Sequence, residues 1–145
     1  WEGVTFRQLI EERYGPLGAK HWRDWKADEV TSQCEKYQEW VLVAQIDGRI
    51  VGYATFFYSE EEGLGHVGNN CVDPDFRGRG IGTALNRAVL DCLKARGARI
   101  VMVTTMEQDV PAQRVYEKNG FVELARSVTY TLDLGEGERA EGDEQ

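Results

Sequence analysis

The stretch that decides the fold is VDPDFRGRGIGTAL, residues 72–85. An apolar run opens it, three glycines follow between Gly78 and Gly82, and a helical spacing of apolar residues begins almost at once. Glycines let a backbone turn tightly and approach a ligand closely, while free N–H groups and the positive end of a helix dipole point into the same space. Arg77 and Arg79 add positive charge. The stretch therefore predicts a strand, a loop that suits a pyrophosphate, and a helix.

Glycine-rich loops also occur in other settings. A P-loop requires a Gly-Lys-Ser or Gly-Lys-Thr triplet, which this loop lacks. A dinucleotide-binding loop requires G-x-G-x-x-G, which is also absent, and it opens its fold instead of following two strands. A flexible connection without a ligand is the remaining alternative, and the residues of the loop leave it open.

Downstream of the loop the pattern indicates a βαβ unit. Apolar residues recur at helical spacing from Ile81 onward, and Gly97 supplies the stop. An apolar strand at 100–104 follows, so it should run parallel to the strand that precedes the loop. A short helix over 110–118 and an alternating strand at 127–134 complete this half of the prediction.

Upstream of the loop the sequence predicts two helices and a hairpin. The first helix covers 5–14 and starts with a capping box, and the second ends near Trp40. The hairpin is centred on Asp47-Gly48, the two-residue signature of a type I′ turn. Residues rich in β-branched and aromatic side chains predict antiparallel strands around this turn and before the glycine loop, at 41–46, 49–58 and 66–72.

Composition and charge limit the classes of function. The chain has 145 residues, of which 41% are hydrophobic and 29% charged, and this predicts a single globular domain over 1–135. Residues 136–145 are acidic and lack large apolar side chains, which predicts a disordered tail, with an acidic interaction tail as the alternative. A formal net charge of -8 argues against nucleic acid and anionic membrane surfaces as partners.

Cysteine usage and hydropathy indicate a compartment. Three cysteines without a C-x-x-C pair, and only two histidines, predict neither a disulfide framework nor a metal site. No apolar run reaches the length of a membrane span, and the start of the sequence lacks the pattern of a secretory leader. A cytoplasmic location is therefore the expectation.

Two motifs stand in register. Arg77, Gly80 and Gly82 fit the pattern Arg or Gln, two residues, Gly, one residue, then Gly or Ala. A second pattern, an Ala, a Tyr four residues later and then a Gly-Phe pair, is met by Ala112, Tyr116, Gly120 and Phe121. Together these motifs resemble the GNAT superfamily of acetyl-CoA-dependent N-acetyltransferases, and the likeness covers about residues 41–134.

The resemblance implies a fold and a cosubstrate site. The fold is α/β (α+β), with a mixed, mostly antiparallel sheet of about six strands, a parallel βαβ unit and helices on both faces. Acetyl-CoA would lie between the strand ending at Val72 and the strand 100–104, with pantetheine near Asn70 and Val72. Family members also open with a strand that has no convincing equivalent here. Backbone amides would hold the pyrophosphate, those of Arg77, Gly78, Arg79, Gly80, Ile81, Gly82 and Thr83.

Acetyl transfer from a thioester needs a neutral amine, a polarised carbonyl and a proton for the departing thiolate. The family usually gives the last role to a tyrosine at the position of Tyr116, and a phenol of pKa about 10 stays protonated at pH 7. Packing on the core face is the alternative role of Tyr116. Carbonyl polarisation is expected from a backbone N–H near 70–72. Asn69 and Asn70 would face opposite sides of the strand unless a bulge intervenes.

The general base that would take a proton from the amine is less clearly defined by the sequence. His66 stands where the family often has Glu, and it either accepts a proton, directly or through a water, or is an ordinary strand histidine. Asp109 stands where family members often place an Asn that contacts pantetheine, and capping a helix is its plainer role. Rival bases on the adjoining loop are Glu60, Glu61 and Glu62.

Two functions therefore stay open. The first is an N-acetyltransferase that acts on a small-molecule or peptide amine by direct attack in a ternary complex. The second is a non-catalytic acetyl-CoA-binding sensor or regulatory module. The resemblance implies no metal, and a homodimer agrees with family habit. Three tryptophans of the N-terminal region are candidates either for an acceptor pocket or for the core, namely Trp22, Trp25 and Trp40.

Overall fold

The computed structural model describes residues 5–135, so the predicted tail at 136–145 lies outside the described residues. The described part confirms an α/β fold, with a mixed sheet and helices. In chain order the elements are α1 (Phe6–Tyr14), α2 (Trp22–Lys36), β1 (Val41–Ile46), β2 (Arg49–Ser59), β3 (Leu64–Val72), α3 (Ile81–Ala95), β4 (Ile100–Met102) and α4 (Val110–Lys118), with 3-10 turns at Gln38–Trp40 and Pro74–Phe76.

The sheet has the strand order β1-β2-β3-β4. The first two pairs are antiparallel, and β3 and β4 are parallel. The hairpin turns at Asp47 and Gly48, whose φ angles of 49° and 78° are the left-handed values that a type I′ turn requires. The parallel pair encloses α3, so the predicted βαβ unit is confirmed.

The main core lies between the sheet and α3. Leu85, Val89 and Leu93 of α3 are buried against Ala54 and Phe56 of β2. Because side chains alternate across a strand, the neighbouring residues of β2 face the other side of the sheet, where α2 lies. The expectation of helices on both faces is therefore confirmed.

The sheet is smaller than the sequence predicts, with four strands in the described residues where about six were expected. The fourth strand ends at Met102 instead of Thr104, because β3 pairs with it only as far as His66. Residues 127–134, predicted as a strand, belong to no strand of the described chain. Alternation gives a segment the capacity to form a strand, but a strand exists only where a neighbour pairs with it.

The N-terminal helices begin as local signals predict. The Thr5 hydroxyl caps α1 by accepting a hydrogen bond from the Gln8 amide at 3.1 Å. The second half of the capping box does not form, because the Gln8 side chain donates to Glu12 instead. Among the described helices, none is both long and apolar enough for a membrane crossing.

Candidate functional site

A cleft opens where the parallel pair stops. β3 and β4 are paired from Leu64 to His66 only, and β3 then continues to Val72 without β4 beside it. Crevices at the carboxyl ends of parallel strands are common ligand sites in α/β proteins. Here the cleft has a volume of about 280 Å³ and is lined by His66, Val67, Gly68, Met102, Val103 and Thr104.

A bulge in β3 shapes the wall of this cleft. The register changes between the pairs Ala54–Asn70 and Phe56–Val67, which leaves Thr55 opposite both Gly68 and Asn69. The Thr55 hydroxyl is fully buried and accepts a hydrogen bond from the Asn69 amide at 2.8 Å. A Cβ at Gly68 would lie 2.5 Å from that hydroxyl, so only glycine fits there.

The side chains of Asn69 in the bulge and of Asn70 after it point to opposite faces of the sheet. The Asn69 side chain donates to Gln33 of α2 at 3.2 Å. The Asn70 side chain donates to the Tyr116 hydroxyl at 3.0 Å, on the face covered by α3 and α4. The bulge therefore does not bring both amides to one side of the sheet. Sequence reasoning missed Thr55, although a glycine inside a strand pattern often marks a bulge.

The predicted glycine loop forms an open cradle at the start of α3. Gly78 and Gly80 have φ angles of 76° and 80°, which L side chains rarely adopt. A Cβ at either residue would have no protein atom within 4 Å, so the cradle faces open space. The Ala84 amide donates to the Gly80 carbonyl at 3.0 Å and is the first to reach an i−4 partner in the helix. The preceding amides of the first turn have no such helical partner.

The segment before the cradle is fixed by Asp73. This buried carboxylate accepts hydrogen bonds from the Asp75 amide at 3.0 Å and from the Arg49 guanidinium at 2.8 Å. The guanidinium groups of Arg49 and Arg79 lie 5.2 Å and 4.9 Å from the centre of the Phe76 ring. Arg79 is thereby held beside the cradle, where it adds positive charge.

Arg77 takes a different position from Arg79. Its Nε donates to the Val72 carbonyl at 3.2 Å, so the side chain folds back along the end of β3. Val72 is one of the residues predicted to meet pantetheine, and its carbonyl already has this partner. A ligand that pairs with this carbonyl would share it with Arg77, since a carbonyl oxygen can accept two hydrogen bonds.

Two buried asparagines hold the first turn of α3. Asn86 donates to the Gly82 carbonyl at 3.0 Å, and Asn119, at the end of α4, donates to the Thr83 carbonyl at 3.2 Å. Both side chains are almost fully buried. Sequence reasoning missed them, because an asparagine on an apolar helix face carries no signal of what it contacts. Asn119 ties the end of α4 to the turn whose amides form the cradle, while the Asn86 bond lies within α3.

Tyr116 is buried and also tied to β3. The Asn70 amide nitrogen lies 3.4 Å from the Gly68 carbonyl and 3.0 Å from the Tyr116 hydroxyl, and it donates to both. Since Asn70 donates, the hydroxyl keeps its own proton for another acceptor. Burial raises the pKa of Tyr116, the Asn70 hydrogen bond opposes this by lowering it, and the Asp109 carboxylate raises it further. Tyr116 is therefore a neutral phenol at pH 7.

The helix-capping role that the sequence predicted for Asp109 is observed. Its carboxylate caps α4 by accepting a hydrogen bond from the Ala112 amide at 3.3 Å. Tyr116 also packs against the Phe121 ring, with ring centres 5.7 Å apart, so its packing role and its polar contact coexist. The second sequence motif is thus a packed unit at one end of α4.

His66 lies apart from Tyr116. It is opposite Phe57 in the sheet, on the α2 face, and four residues before Asn70, which is roughly 13 Å along a strand. Its Nε2 lies 3.7 Å from a Glu62 carboxylate oxygen. The two predicted catalytic side chains therefore do not contact each other, and the rival bases Glu60 and Glu61 are exposed on the turn before β3.

A second cleft, of about 380 Å³, lies between α2 and β2, and its lining includes Trp22, Lys26, Val30 and Tyr53. Burial raises the pKa of Tyr53 to about 12. Of the three tryptophans predicted for a pocket or the core, Trp22 alone lines this cleft. The other two are engaged elsewhere, with Arg7 over the ring of Trp25 and with Phe56, Phe57 and Arg96 around Trp40.

An opened parallel strand pair beside an amide cradle at a helix N-terminus defines a class of α/β domains that bind phosphorylated ligands. The family model described as "Acetyltransferase (GNAT) family" matches residues 5–121, and the chain belongs to this family. The resemblance carried by the two sequence motifs is thereby confirmed.

Named relatives and a solved structure agree with this assignment. L-amino acid N-acetyltransferase AaaT of Escherichia coli is 33% identical over 98 residues, covering 66% of this chain and 60% of that protein. N-acetylaspartate synthetase of Homo sapiens is 34% identical over 90 residues, covering 62% and 30%. The chain thus spans less than two thirds of these relatives. An aminoglycoside N-acetyltransferase solved in complex with CoA has a TM-score of 0.59 at 22% identity, covering 81% of this chain and 96% of that one, which shows the fold.

Proposed function

We propose that this chain forms an N-acetyltransferase domain that moves an acetyl group from acetyl-CoA to a primary amine by direct attack in a ternary complex. One juxtaposition carries the proposal. The open cradle formed by Gly78 and Gly80 at the start of α3 stands beside the parallel pair that separates beyond His66. The cradle would accommodate a diphosphate, and the separated strand pair would accommodate an extended chain attached to it.

The residues present fit coenzyme A. The cradle offers unpaired first-turn amides, the positive end of α3 and the Arg79 guanidinium to a diphosphate. Because Gly78 and Gly80 have no Cβ, the space in front of those amides stays open. Among residues 5–135, no strand lies beside the edge of β3 from Val67 to Val72 in the cleft, which suits the amides of pantetheine. When bound, acetyl-CoA supplies the activated acyl group.

In this proposal Tyr116 supplies the proton for the departing thiolate. The hydroxyl accepts a hydrogen bond from Asn70 and retains its own proton, and its raised pKa keeps it protonated across neutral pH. Asn70 is therefore a positioning residue, because it fixes the direction in which the phenol can donate. The phenol is neutral before the transfer, and the tyrosinate that remains when CoA–SH leaves regains a proton from solvent.

His66 is proposed to accept the proton of the amine through a water. The imidazole is on the α2 face of the sheet and lines the cleft, with a Glu62 carboxylate oxygen 3.7 Å from its Nε2. The acceptor is proposed to enter from the same face, through the cleft of α2 that contains Trp22 and Tyr53. Acid and base would then act from the two faces of β3.

A panel of acceptors tests the proposal. Thiol release from acetyl-CoA would be measured with amino acids, polyamines, aminoglycosides and short peptides, and coenzyme A binding by calorimetry. Turnover with a primary amine is the expected result. The separation of His66 from Tyr116 favours a second candidate, an acetyl-CoA-binding sensor, which would bind coenzyme A and turn over none of the panel. No binding at all would overturn both.

A further inference from the structure

The cleft between α2 and β2 is lined on one side by a single stripe of the helix. The lining residues of α2 recur three and four positions apart, so they share one face. Tyr53 of β2 lies across from them. The cleft volume of about 380 Å³ is at the lower end of the range of about 300–1,000 Å³ that small-molecule sites occupy. The helical stripe consists of Trp22, Arg23, Lys26, Ala27, Val30 and Thr31.

This lining is positively charged although the chain as a whole is acidic, with a formal net charge of -8. Of the described residues that line the cleft, two are cations and none is a carboxylate. Burial raises the pKa of Tyr53 to about 12, so its phenol adds no negative charge at neutral pH. The cleft therefore favours an anionic group. The acidic residues of α2 all lie outside the lining, namely Asp24, Asp28, Glu29 and Glu35.

The two cations of the lining suit a carboxylate. The Arg23 guanidinium lies 5.2 Å from the centre of the Trp22 ring, and its planar set of five N–H donors can form two parallel hydrogen bonds with a carboxylate. The Lys26 Nζ already has a carboxylate partner, a Glu29 oxygen at 2.6 Å. Both side chains of this pair are partly exposed, and surface pairs of this kind contribute little to stability. A ligand carboxylate can therefore take the place of Glu29.

Tyr53 connects the cleft with the proposed site of acetyl transfer. It is opposite Cys71 in the antiparallel pair of β2 and β3. Cys71 follows Asn70, whose side chain donates to the Tyr116 hydroxyl at 3.0 Å on the other face of the sheet. A molecule in the cleft thus has one end at the cations of α2 and the other at the strand along which pantetheine is proposed to lie.

We propose that this cleft selects an acceptor amine that carries a carboxylate and an apolar side chain, as apolar amino acids do, and that Arg23 and Lys26 determine this specificity. The inference rests on the proposed function, because it assigns the acceptor of that reaction. The carboxylate lies at the two cations, the apolar side chain packs against Trp22 and Val30, and the amine points toward β3. Polyamines are disfavoured, because their positive charges would meet those of the lining.

A matched pair of ligands tests this specificity without turnover. L-Phenylalanine and L-phenylalaninamide share a side chain and an amine and differ only in the carboxylate. Calorimetry should give a Kd for L-phenylalanine at least about tenfold below that for the amide. The titrations are run with and without coenzyme A, so that a failure of the cosubstrate site is recognised separately. Equal Kd values, tighter binding of the amide or of spermidine, or no binding of L-phenylalanine would overturn the proposal.

Single substitutions in α2 locate the preference. Arg23→Gln and Lys26→Gln should each raise the Kd for L-phenylalanine about tenfold and leave that for the amide unchanged. Glu29→Gln should act in the opposite direction and lower the Kd about two- to fivefold, because the ligand no longer competes with Glu29 for Lys26. Lys36→Gln is the matched control, since it removes the same charge from the same helix outside the cleft.

Kinetics of acetyl transfer complete the test. With L-phenylalanine as acceptor, the variants should change KM in the same pattern with kcat unchanged, because the cations hold the acceptor equally before and during the reaction. Weaker binding in Glu29→Gln, or an effect of Lys36→Gln as large as that of Lys26→Gln, would refute the assignment. Equal kcat/KM for the amino acid and its amide would overturn this inference and leave the proposed function standing. Selective binding of L-phenylalanine without any thiol release would support the cleft assignment and count against the proposed function.

Discussion

Replacing Gly80 tests the cradle directly. This residue precedes α3 with φ 80° and ψ 7°, and a Cβ added there meets no protein atom within 4 Å. Gly80→Asn is the informative change, because asparagine visits this left-handed region at less cost than other side chains. Its side chain would project into the space before the first-turn amides. The variant therefore obstructs a ligand while disturbing the protein little.

The expected magnitudes separate binding from stability. A hydrogen bond to a charged group is worth about 1.5–3 kcal/mol, so the loss of one phosphate contact raises the Kd for coenzyme A about 10- to 150-fold. The strain of an L residue in the left-handed region costs about 1–2 kcal/mol at most, and less for asparagine. The effect on coenzyme A binding should therefore exceed the effect on stability.

Gly82→Ala is the matched control, because it tests the same turn without obstructing it. A Cβ at Gly82 would lie 3.6 Å from Val115 and 3.7 Å from Val72, which is ordinary van der Waals contact. The family motif also accepts Ala at this position. Calorimetry of coenzyme A and thermal unfolding would be measured on the parent and both variants. A folded Gly80→Asn variant that binds as tightly as the parent would refute the cradle.

Three further outcomes are expected. Tyr116→Phe should reduce the kcat of acetyl transfer about 10²–10⁴-fold with little change in the Kd for coenzyme A, as measured by thiol release and calorimetry. Because burial raises the pKa of Tyr53 from 10.0 to about 12, the free energy of unfolding should fall as pH rises through that window, and Tyr53→Phe should lessen the fall in urea titrations. Thr55→Val should cost about 1–3 kcal/mol in the same titrations, because the Asn69 amide loses its buried acceptor.

Local signals explain which parts of the fold were predictable. The Asp47-Gly48 turn, the cap at Thr5 and the glycine loop each depend on the conformation of a few adjacent residues. The βαβ unit follows from the handedness and length of one connection. These features need no knowledge of which distant segments meet.

The features that sequence analysis missed depend instead on contacts between distant segments. Thr55 and Gly68 form a bulge only because two strands have a particular register. Asn119 matters because it reaches the Thr83 carbonyl on another helix. The segment 127–134 has strand alternation but lacks a paired neighbour within the described chain. Each of these depends on a distant partner, which composition and periodicity do not specify.

The short fourth strand explains why the cleft opens where it does. β4 pairs with β3 only through Met102, so the residues after it, Val103 and Thr104, leave β3 and form one wall of the cleft. The opposite wall is held by the bulge in β3, where the buried Thr55 hydroxyl accepts a hydrogen bond from the Asn69 amide. Among the described strands, β2 alone therefore positions the backbone of β3 beyond His66, and the cleft-facing edge of β3 suits an extended ligand that pairs as a strand would.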